Sequence, residues 1–325
     1  MKRALPSRDL RGRVKHIYTL ADLQDWTEAT RGLEPPIRLG VLGDPVDHSL
    51  SPQMQNAALD HGKINMQYAR FHIHADELQT ALALLPKLNF VGVNLTLPHK
   101  IAALGLVKEL DDEAKQVGAI NTIFIRDKTL IGFNTDGVGF VHAIRSEFSV
   151  DLRDMRVMIL GAGGAGRAIA VQCALQSCER LVLANRTFEK ARQLADELRP
   201  HFAGARVFGP VARLQPVPWE EAALGSQIGN VDLIVNATRL GLKQSDPSPI
   251  PARSLAPHLM VYDTVYGGHE TRLLAAAKEA GARAANGRSM LLHQGARAFE
   301  IWFDRPAPVD AMRAALVDRD PPNYD

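Results

Sequence analysis

One segment constrains the fold more than any other, because an apolar strand runs directly into a glycine loop and then into a helix of small residues. Positions 157–168 have the sequence VMILGAGGAGRA. The GxGxxG spacing serves a tight turn, the close approach of a pyrophosphate, and the packing of helix on strand. The loop amides and the helix N-terminus offer positive potential to a phosphate. The candidate dinucleotide-binding residues are therefore Gly161, Ala162, Gly163, Gly164, Ala165 and Gly166.

The next predicted strand, 180–184, ends on the polar residues Asn185, Arg186 and Thr187. A carboxylate at this place would hold the ribose 2′-hydroxyl of NAD. A guanidinium beside two hydrogen-bonding side chains suits a 2′-phosphate instead, so NADP is favoured as the cofactor. The alternative is structural: Thr187 caps the following helix and Arg186 is a solvated surface residue.

Composition excludes several classes of protein. The 325 residues are enough for two domains, and 46% are hydrophobic against 23% charged, as in ordinary soluble proteins. No apolar run is long enough to cross a bilayer, and the formal net charge is only +2. We therefore expect neither a membrane segment nor a nucleic-acid partner.

Cysteine and histidine spacing predicts no metal site. Cys173 and Cys178 are five residues apart, and His72 and His74 alternate along a predicted strand. Neither spacing is a zinc motif. The basic residues 1–16 lack the apolar core of a secretory signal, so we expect a cytoplasmic protein. A monomer or a homodimer is expected.

The alternation of strands and helices predicts an α/β fold with two domains. After a polar extension (1–35) with one helix at 20–29, residues 36–137 and 288–325 form an N-terminal α/β domain, and 138–287 form a Rossmann domain with a doubly wound parallel sheet. The C-terminal helices are expected to pack back on the first domain. Predicted elements of the first domain are strands 37–42, 67–73 and 91–95, helices 52–61 and 75–85, a hairpin of 119–126 and 129–133, and terminal helices 290–303 and 309–317. A predicted helix at 137–147 connects the first domain to the second. The predicted strands of the Rossmann domain end near Leu160, Leu183, Val207, Asn236 and Tyr262.

Lys100 is a candidate proton donor, because Pro98 ends a strand and projects the residues after it beyond the strand's carboxyl end. Asp136, at the end of the hairpin, is a candidate partner that would orient the ammonium. The alternative is a solvated lysine and a helix-capping aspartate.

A second polar cluster follows the first strand. Ser51 is predicted to be a helix N-cap with Pro52 at the first helical position. Capping does not explain Ser49, and two hydroxyls beside a helix N-terminus suit a substrate carboxylate.

Eight motifs together resemble the shikimate dehydrogenase family over residues 37–303. They are SxSP at 49–52, NLTxPxK at 94–100, GAINT at 118–122, NTDG at 134–137, the glycine loop, NRT at 185–187, NAT at 236–238 and GxxMLLxQGA at 287–296. A single motif is weak evidence, but eight in this order leave little room for chance.

The resemblance implies reversible NADPH-dependent reduction of 3-dehydroshikimate to shikimate, in the biosynthesis of chorismate and aromatic amino acids. It makes Lys100 and Asp136 the catalytic pair. It assigns the substrate carboxylate to Ser49 and Ser51, and the substrate hydroxyls to Thr96, Asn121 and Gln294. It places Tyr266 near the substrate, and Thr238 and Gly287 with the glycine loop among the cofactor-binding residues.

Some positions depart from the family pattern, namely Arg239, Thr264 and the pair Gly267 and Gly268, and they bear on how the nicotinamide is positioned. Two rival functions stay open. A quinate or quinate/shikimate dehydrogenase often has an acid at the second strand end and a threonine for one of the two serines. A dinucleotide sensor without catalysis would have no need of Lys100.

Overall fold

The computed structural model describes residues 15–203 and 212–317, which form two α/β units, each built on its own sheet. The strands, in chain order, are β1 Tyr18–Thr19, β2 Ile37–Gly43, β3 Gln67–His72, β4 Gly92–Leu95, β5 Glu109–Leu110, β6 Thr122–Arg126, β7 Thr129–Phe133, β8 Arg156–Leu160, β9 Arg180–Asn185, β10 Leu214–Pro218, β11 Leu233–Asn236, β12 Met260–Asp263 and β13 Arg283–Asn286. The helices are α1 Leu20–Gln24, α2 Trp26–Ala29, α3 Ser51–His61, α4 Leu78–Leu84, α5 His99–Ala102, α6 Asp112–Val117, α7 Asp136–Phe148, α8 Gly164–Leu175, α9 Phe188–Phe202, α10 Glu221–Ile228, α11 Arg272–Glu279, α12 Arg288–Phe303 and α13 Val309–Val317.

The first sheet is mixed, with the order β1-β3-β2-β4-β6-β7-β5. Strands β1 to β4 pair in parallel, while β6 runs antiparallel to both β4 and β7. The predicted hairpin is confirmed: Asp127 and Lys128 both have positive φ angles, as a two-residue hairpin turn requires.

The segment before residue 36 is packed against the first sheet from residue 17 onward. Tyr18 and Thr19 add an edge strand beside β3, and Trp26 packs on Phe71 and Phe90. The single helix predicted over 20–29 is wrong, because Asp25 leaves the helical conformation and divides it into α1 and α2. Thr19 caps α1 with a capping box, as expected for a threonine at that place.

The second sheet is entirely parallel, with the order β10-β9-β8-β11-β12-β13. Numbered from β8, this is the Rossmann order 3-2-1-4-5-6, in which ligands bind where the order reverses. The strand predicted around Val207 falls outside the described residues, and the strand beside β9 is Leu214–Pro218. The predicted doubly wound sheet is confirmed.

The C-terminal helices return to the first unit, as predicted. The buried side chains of α12 and α13 share one hydrophobic cluster with β2, α3 and Tyr68. Helix α7 buries Phe140 and Ile144 in the core of the second unit, so it connects the two sheets. Among the described residues, no helix combines the length and the apolar character that crossing a bilayer requires.

Candidate active site

A cleft of about 200 Å³ lies between the two units, at the carboxyl ends of the parallel strands. Eight predicted substrate-site or catalytic residues line it: Ser49, Ser51, Thr96, Lys100, Asn121, Asp136, Tyr266 and Gln294. The predicted cofactor residues Gly163, Gly164, Ala165, Thr238 and Gly287 line it as well. Gly161, Ala162, Gly166 and the polar triplet Asn185, Arg186 and Thr187 are not part of its lining.

Lys100 and Asp136 meet in this cleft. The Lys100 Nζ lies 2.5 Å from Asp136 Oδ2, and the two side chains are 14% and 5% exposed. Lys100 belongs to the short helix α5 directly after β4, and Asp136 is the first residue of α7, whose N-cap position is Thr135. Neither the solvated lysine nor the capping aspartate of the structural alternative is observed.

Asn121 orients the aspartate. Its side-chain amide is 2.9 Å from Asp136 Oδ1, 2.9 Å from Thr135 Oγ1 and 3.3 Å from Gln294 Oε1. Its side-chain oxygen accepts the backbone N–H of Thr135 at 2.8 Å. The carboxylate therefore receives a neutral donor on one oxygen and the lysine ammonium on the other.

Behind Asn121 the network continues through residues for which sequence patterns predict no role. The Tyr68 hydroxyl donates to Asn94 Oδ1 at 2.8 Å, and the Asn94 amide donates to Thr122 Oγ1 at 3.0 Å. Burial raises the pKa of Tyr68 well above its ordinary value, against a lowering contribution from its hydrogen bond with Ser51. A polar side chain inside the buried strand β4 is the signal that could have identified Asn94.

The loop at residues 49–51 corrects one prediction, because Ser51 is not the N-cap of α3. The N-cap of α3 is Leu50, and Ser51 is already helical, so its hydroxyl makes no capping bond. The Ser51 N–H donates to Ser49 Oγ at 3.3 Å, and the Arg70 guanidinium donates to the Ser49 carbonyl at 2.6 Å. Both serine hydroxyls stay in the cleft lining at the start of a helix.

Tyr266 follows β12 and lines the same cleft. Burial raises the pKa of Tyr266 to about 12, with a smaller opposing effect from its hydrogen bond with Ser49. The phenol is therefore neutral at physiological pH and acts as a hydrogen-bonding group rather than an anion.

The glycine loop has the geometry that a bound phosphate requires. Gly161 has a φ of +111°, and a Cβ on Gly166 would lie 2.1 Å from the Gly161 carbonyl oxygen. A Cβ on Gly163 would meet no atom within 4 Å, so the space above the loop is open. Gly163 is the N-cap of α8 and offers no capping side chain, which leaves the first amides of the helix available to an anion.

The same loop touches the lysine. A Cβ built on Gly164 would lie 3.0 Å from the Lys100 Cβ, so the dinucleotide loop and the catalytic candidate share one wall of the cleft.

The polar triplet after β9 divides into two roles. Asn185 Oδ1 accepts the Ala162 N–H at 3.1 Å, and its amide donates to the Thr187 carbonyl at 2.8 Å, so Asn185 braces the glycine loop. Arg186 and Thr187 are exposed. Thr187 is the N-cap of α9 by position, yet its side chain makes no capping bond. Arg186 forms no ion pair with any residue in the described ranges.

A second buried carboxylate, Asp263, ends β12. It accepts hydrogen bonds from Asn236, from the Val265 N–H and from Thr271. Burial raises the pKa of Asp263 to about 6, because these neutral donors only partly offset the loss of hydration.

Comparisons with known proteins agree with this architecture. The family model "Shikimate dehydrogenase substrate binding domain" matches residues 41–123, "Shikimate / quinate 5-dehydrogenase" matches 143–208, and "Shikimate 5'-dehydrogenase C-terminal domain" matches 287–317. The shikimate dehydrogenase (NADP(+)) of Methanopyrus kandleri is 39% identical over 282 residues, which cover 86% of this chain and 94% of that protein.

Solved structures show the same likeness. Shikimate 5-dehydrogenase of Thermus thermophilus, in complex with NADP(H) and shikimate, aligns with a TM-score of 0.74 at 35% identity and covers 86% of this chain and 98% of its own. Quinate dehydrogenase of Corynebacterium glutamicum, in complex with NAD, aligns with a TM-score of 0.74 at 29% identity and covers 87% and 99%.

The Rossmann sheet, the first sheet and the cleft between them define a two-domain α/β protein of the dinucleotide-dependent dehydrogenase class. The identity over most of the chain is specific enough to go further. The chain belongs to the shikimate dehydrogenase family.

Proposed function

We propose that this protein is an NADP-dependent oxidoreductase that interconverts 3-dehydroshikimate and shikimate. The observation that carries the proposal is the partly buried Lys100 and Asp136 pair, which lies against the dinucleotide loop in one cleft. The identity of the substrate is inferred from family membership, and the proton transfer is inferred from the chemistry of Lys100 and Asp136.

In the reducing direction, NADPH held by residues 161–166 would supply a hydride to the carbonyl carbon of the substrate. The carbonyl π electrons move onto oxygen, and the Lys100 ammonium donates the proton that completes the new hydroxyl. The neutral amine then recovers a proton from solvent. Asp136, 2.5 Å from Lys100 Nζ, orients the lysine and stabilises its charged form before and after the transfer. Oxidation of shikimate reverses each step.

Substrate binding is assigned to the remaining polar lining. Ser49 and Ser51, at the start of α3, would donate to the substrate carboxylate, where the helix N-terminus favours negative charge. Thr96, Asn121 and Gln294 would bind the ring hydroxyls, and Tyr266 would contribute a neutral phenol beside Ser49.

The cofactor fits the second unit. Residues 161–166 would hold the pyrophosphate on free helix amides, with Thr238 and Gly287 on the cleft side. Arg186 and Thr187 would bind the 2′-phosphate, since both are exposed and have no competing side-chain bond among the described residues. Asn185 would act by bracing the loop.

A matrix of two substrates and two cofactors tests the function. Purified protein should oxidise shikimate with NADP at least about tenfold more efficiently than quinate with NAD, a gap of about 1.4 kcal/mol in transition-state free energy. The comparison uses kcat/KM from initial rates.

Quinate oxidation with NAD is the second candidate function, favoured by the likeness to the Corynebacterium glutamicum structure. A preference for quinate with NAD in the matrix would establish it and overturn the proposal. Tight NADPH binding without turnover of either substrate would establish a sensor instead.

We also propose that residues 36–137 with 288–325 act as the substrate domain and 138–287 as the cofactor domain. NADP should then slow hydrogen exchange chiefly within 138–287.

A monomer or homodimer in the cytoplasm is the expected form. Light scattering tests its size, and a larger assembly would contradict it. Fractionation of cells tests its location, and enrichment outside the cytoplasmic fraction would contradict that expectation.

A further inference from the structure

Three metal-ligating side chains meet outside the cleft, where β2 and β3 end. We propose that Asp44, His72 and His74 form a binding site for a divalent transition metal ion of the zinc, nickel or copper type.

The side chains already converge on one another. Asp44 Oδ1 lies 2.8 Å from His72 Nε2, and Asp44 Oδ2 lies 3.0 Å from His74 Nδ1. All the potential ligand atoms lie within 4.8 Å of one another. Ligands around one tetrahedral metal at about 2.0–2.1 Å are a little more than 3 Å apart, so small side-chain rotations suffice.

The arrangement follows from strand geometry. His72 ends β3 and His74 is two residues later, so both side chains project to the same face, with ring centroids 4.7 Å apart. Asp44 directly follows β2, the parallel neighbour of β3, and therefore lies at the same sheet edge. Two histidines at this spacing chelate from a single strand end, and the carboxylate completes the set.

The backbone under the three ligands is held from several sides. The Asp44 N–H donates to the Leu97 carbonyl at 2.9 Å, and the Ile73 N–H donates to the Gly43 carbonyl at 3.2 Å. The buried His99 contacts the Ile73 carbonyl through Nε2 at 2.8 Å. The residue between the two histidines is thus fixed on both of its polar backbone groups, which lowers the ordering cost of binding.

The donor set selects the kind of metal. Two imidazoles and one carboxylate suit zinc, nickel or copper, whereas calcium and magnesium prefer all-oxygen ligands. The side chains are 34–58% exposed, so an ion has a direct path from solvent and the remaining coordination positions go to water.

Zinc titration by calorimetry tests the site, with the full chain free of any polyhistidine tag. The wild type should take up about one Zn²⁺ per chain through this site, and H72A and H74A should each weaken that uptake at least about tenfold. The matched control is H61A, which removes an exposed histidine at the end of α3 and should leave the affinity unchanged. Equal affinity in the wild type and in the double variant H72A/H74A would overturn the proposal, as would the absence of saturable uptake.

Copper electron paramagnetic resonance gives a second test, and its result on the wild type does not depend on how the variants fold. Bound Cu²⁺ should show hyperfine coupling to two imidazole nitrogens. One nitrogen or none would contradict the assignment. His74→Gln, which keeps the polar character of the position, should reduce the count to one. Both tests are independent of dehydrogenase activity.

Discussion

Two buried carboxylates, one after β7 in the first sheet and one at the end of β12 in the second, differ in the charge of their hydrogen-bond donors. Asp136, at the edge of the first sheet, faces the Lys100 ammonium at 2.5 Å and one neutral donor, Asn121. Asp263, at the edge of the second sheet, has only neutral donors, and burial raises its pKa to about 6. The presence or absence of one cation separates a site that can transfer a proton from one that closes a turn.

The comparison extends to how each unit handles positive charge. In the first unit the cation is partly buried and paired, so its position is set before any substrate arrives. In the second unit Arg186 is exposed and is left for a ligand to engage. Under the proposed function, this difference would preorganise the first unit for chemistry and leave Arg186 of the second unit free to engage a dinucleotide.

Removing the cation from the first carboxylate should have the largest effect. Lys100→Ala leaves Asp136 with its neutral donor and takes away the proton donor, so kcat should fall about 10²- to 10⁴-fold. NADPH affinity, measured by fluorescence titration, should change little. Lys108→Ala, which removes an exposed lysine of the same unit, is the control. An unchanged kcat would remove Lys100 from the chemistry.

Making the second carboxylate permanently neutral should change how stability depends on pH. The folded pKa of Asp263 is raised above the unfolded value, so the native state binds the proton more tightly, and the contribution of this group to stability is lost as pH rises from about 4 through about 6. D263N lacks this loss. Its free energy of unfolding relative to wild type should improve by up to about 3 kcal/mol across that interval.

Urea unfolding at a series of pH values measures this difference, with the exposed Asp127→Asn as the control. Parallel stability curves for D263N and wild type would show that Asp263 does not titrate in this range. The isosteric change keeps the acceptor for Asn236 and Val265.

Removing the exposed cation of the second unit should have the smallest effect of the three, and only on one cofactor. Arg186→Ala should weaken NADP binding by about 10- to 150-fold, the equivalent of a charge-assisted hydrogen bond worth about 1.5–3 kcal/mol. NAD binding should be nearly unchanged. The control is Arg192→Ala, which removes an exposed arginine that pairs with Glu189 on α9. Equal loss for NADP and NAD would make Arg186 a structural residue.

Local patterns predicted much of the fold. The strands β2, β7 and β8, the Asp127 and Lys128 turn, and the C-terminal helices follow from alternation, turn chemistry and amphipathic spacing. Short elements escaped prediction, because β1 and β5 are two residues long and depend on neighbours for their existence. The division of the first helix at Asp25 has no local sequence signal either.

The site could be predicted only in part. The positions of Lys100 beyond a strand end and of Asp136 at the end of the hairpin made the two residues candidate partners, but 36 residues separate them, and only the family resemblance made them the catalytic pair. The Tyr68 and Asn94 network and the Asp44, His72 and His74 cluster join strands that are distant in sequence. Their side chains meet only because the sheet brings those strands side by side, which no local pattern encodes.

The return of α12 and α13 to the first sheet has a consequence for synthesis on the ribosome. The hydrophobic cluster that joins Leu39 and Met54 to Leu291 and Leu316 cannot form until α12 and α13 have emerged. The second unit, continuous in sequence, has all its strands beforehand. The second unit can therefore fold first and hold the two segments of the first unit near each other. The cleft between the units is then the last part of the molecule to assemble.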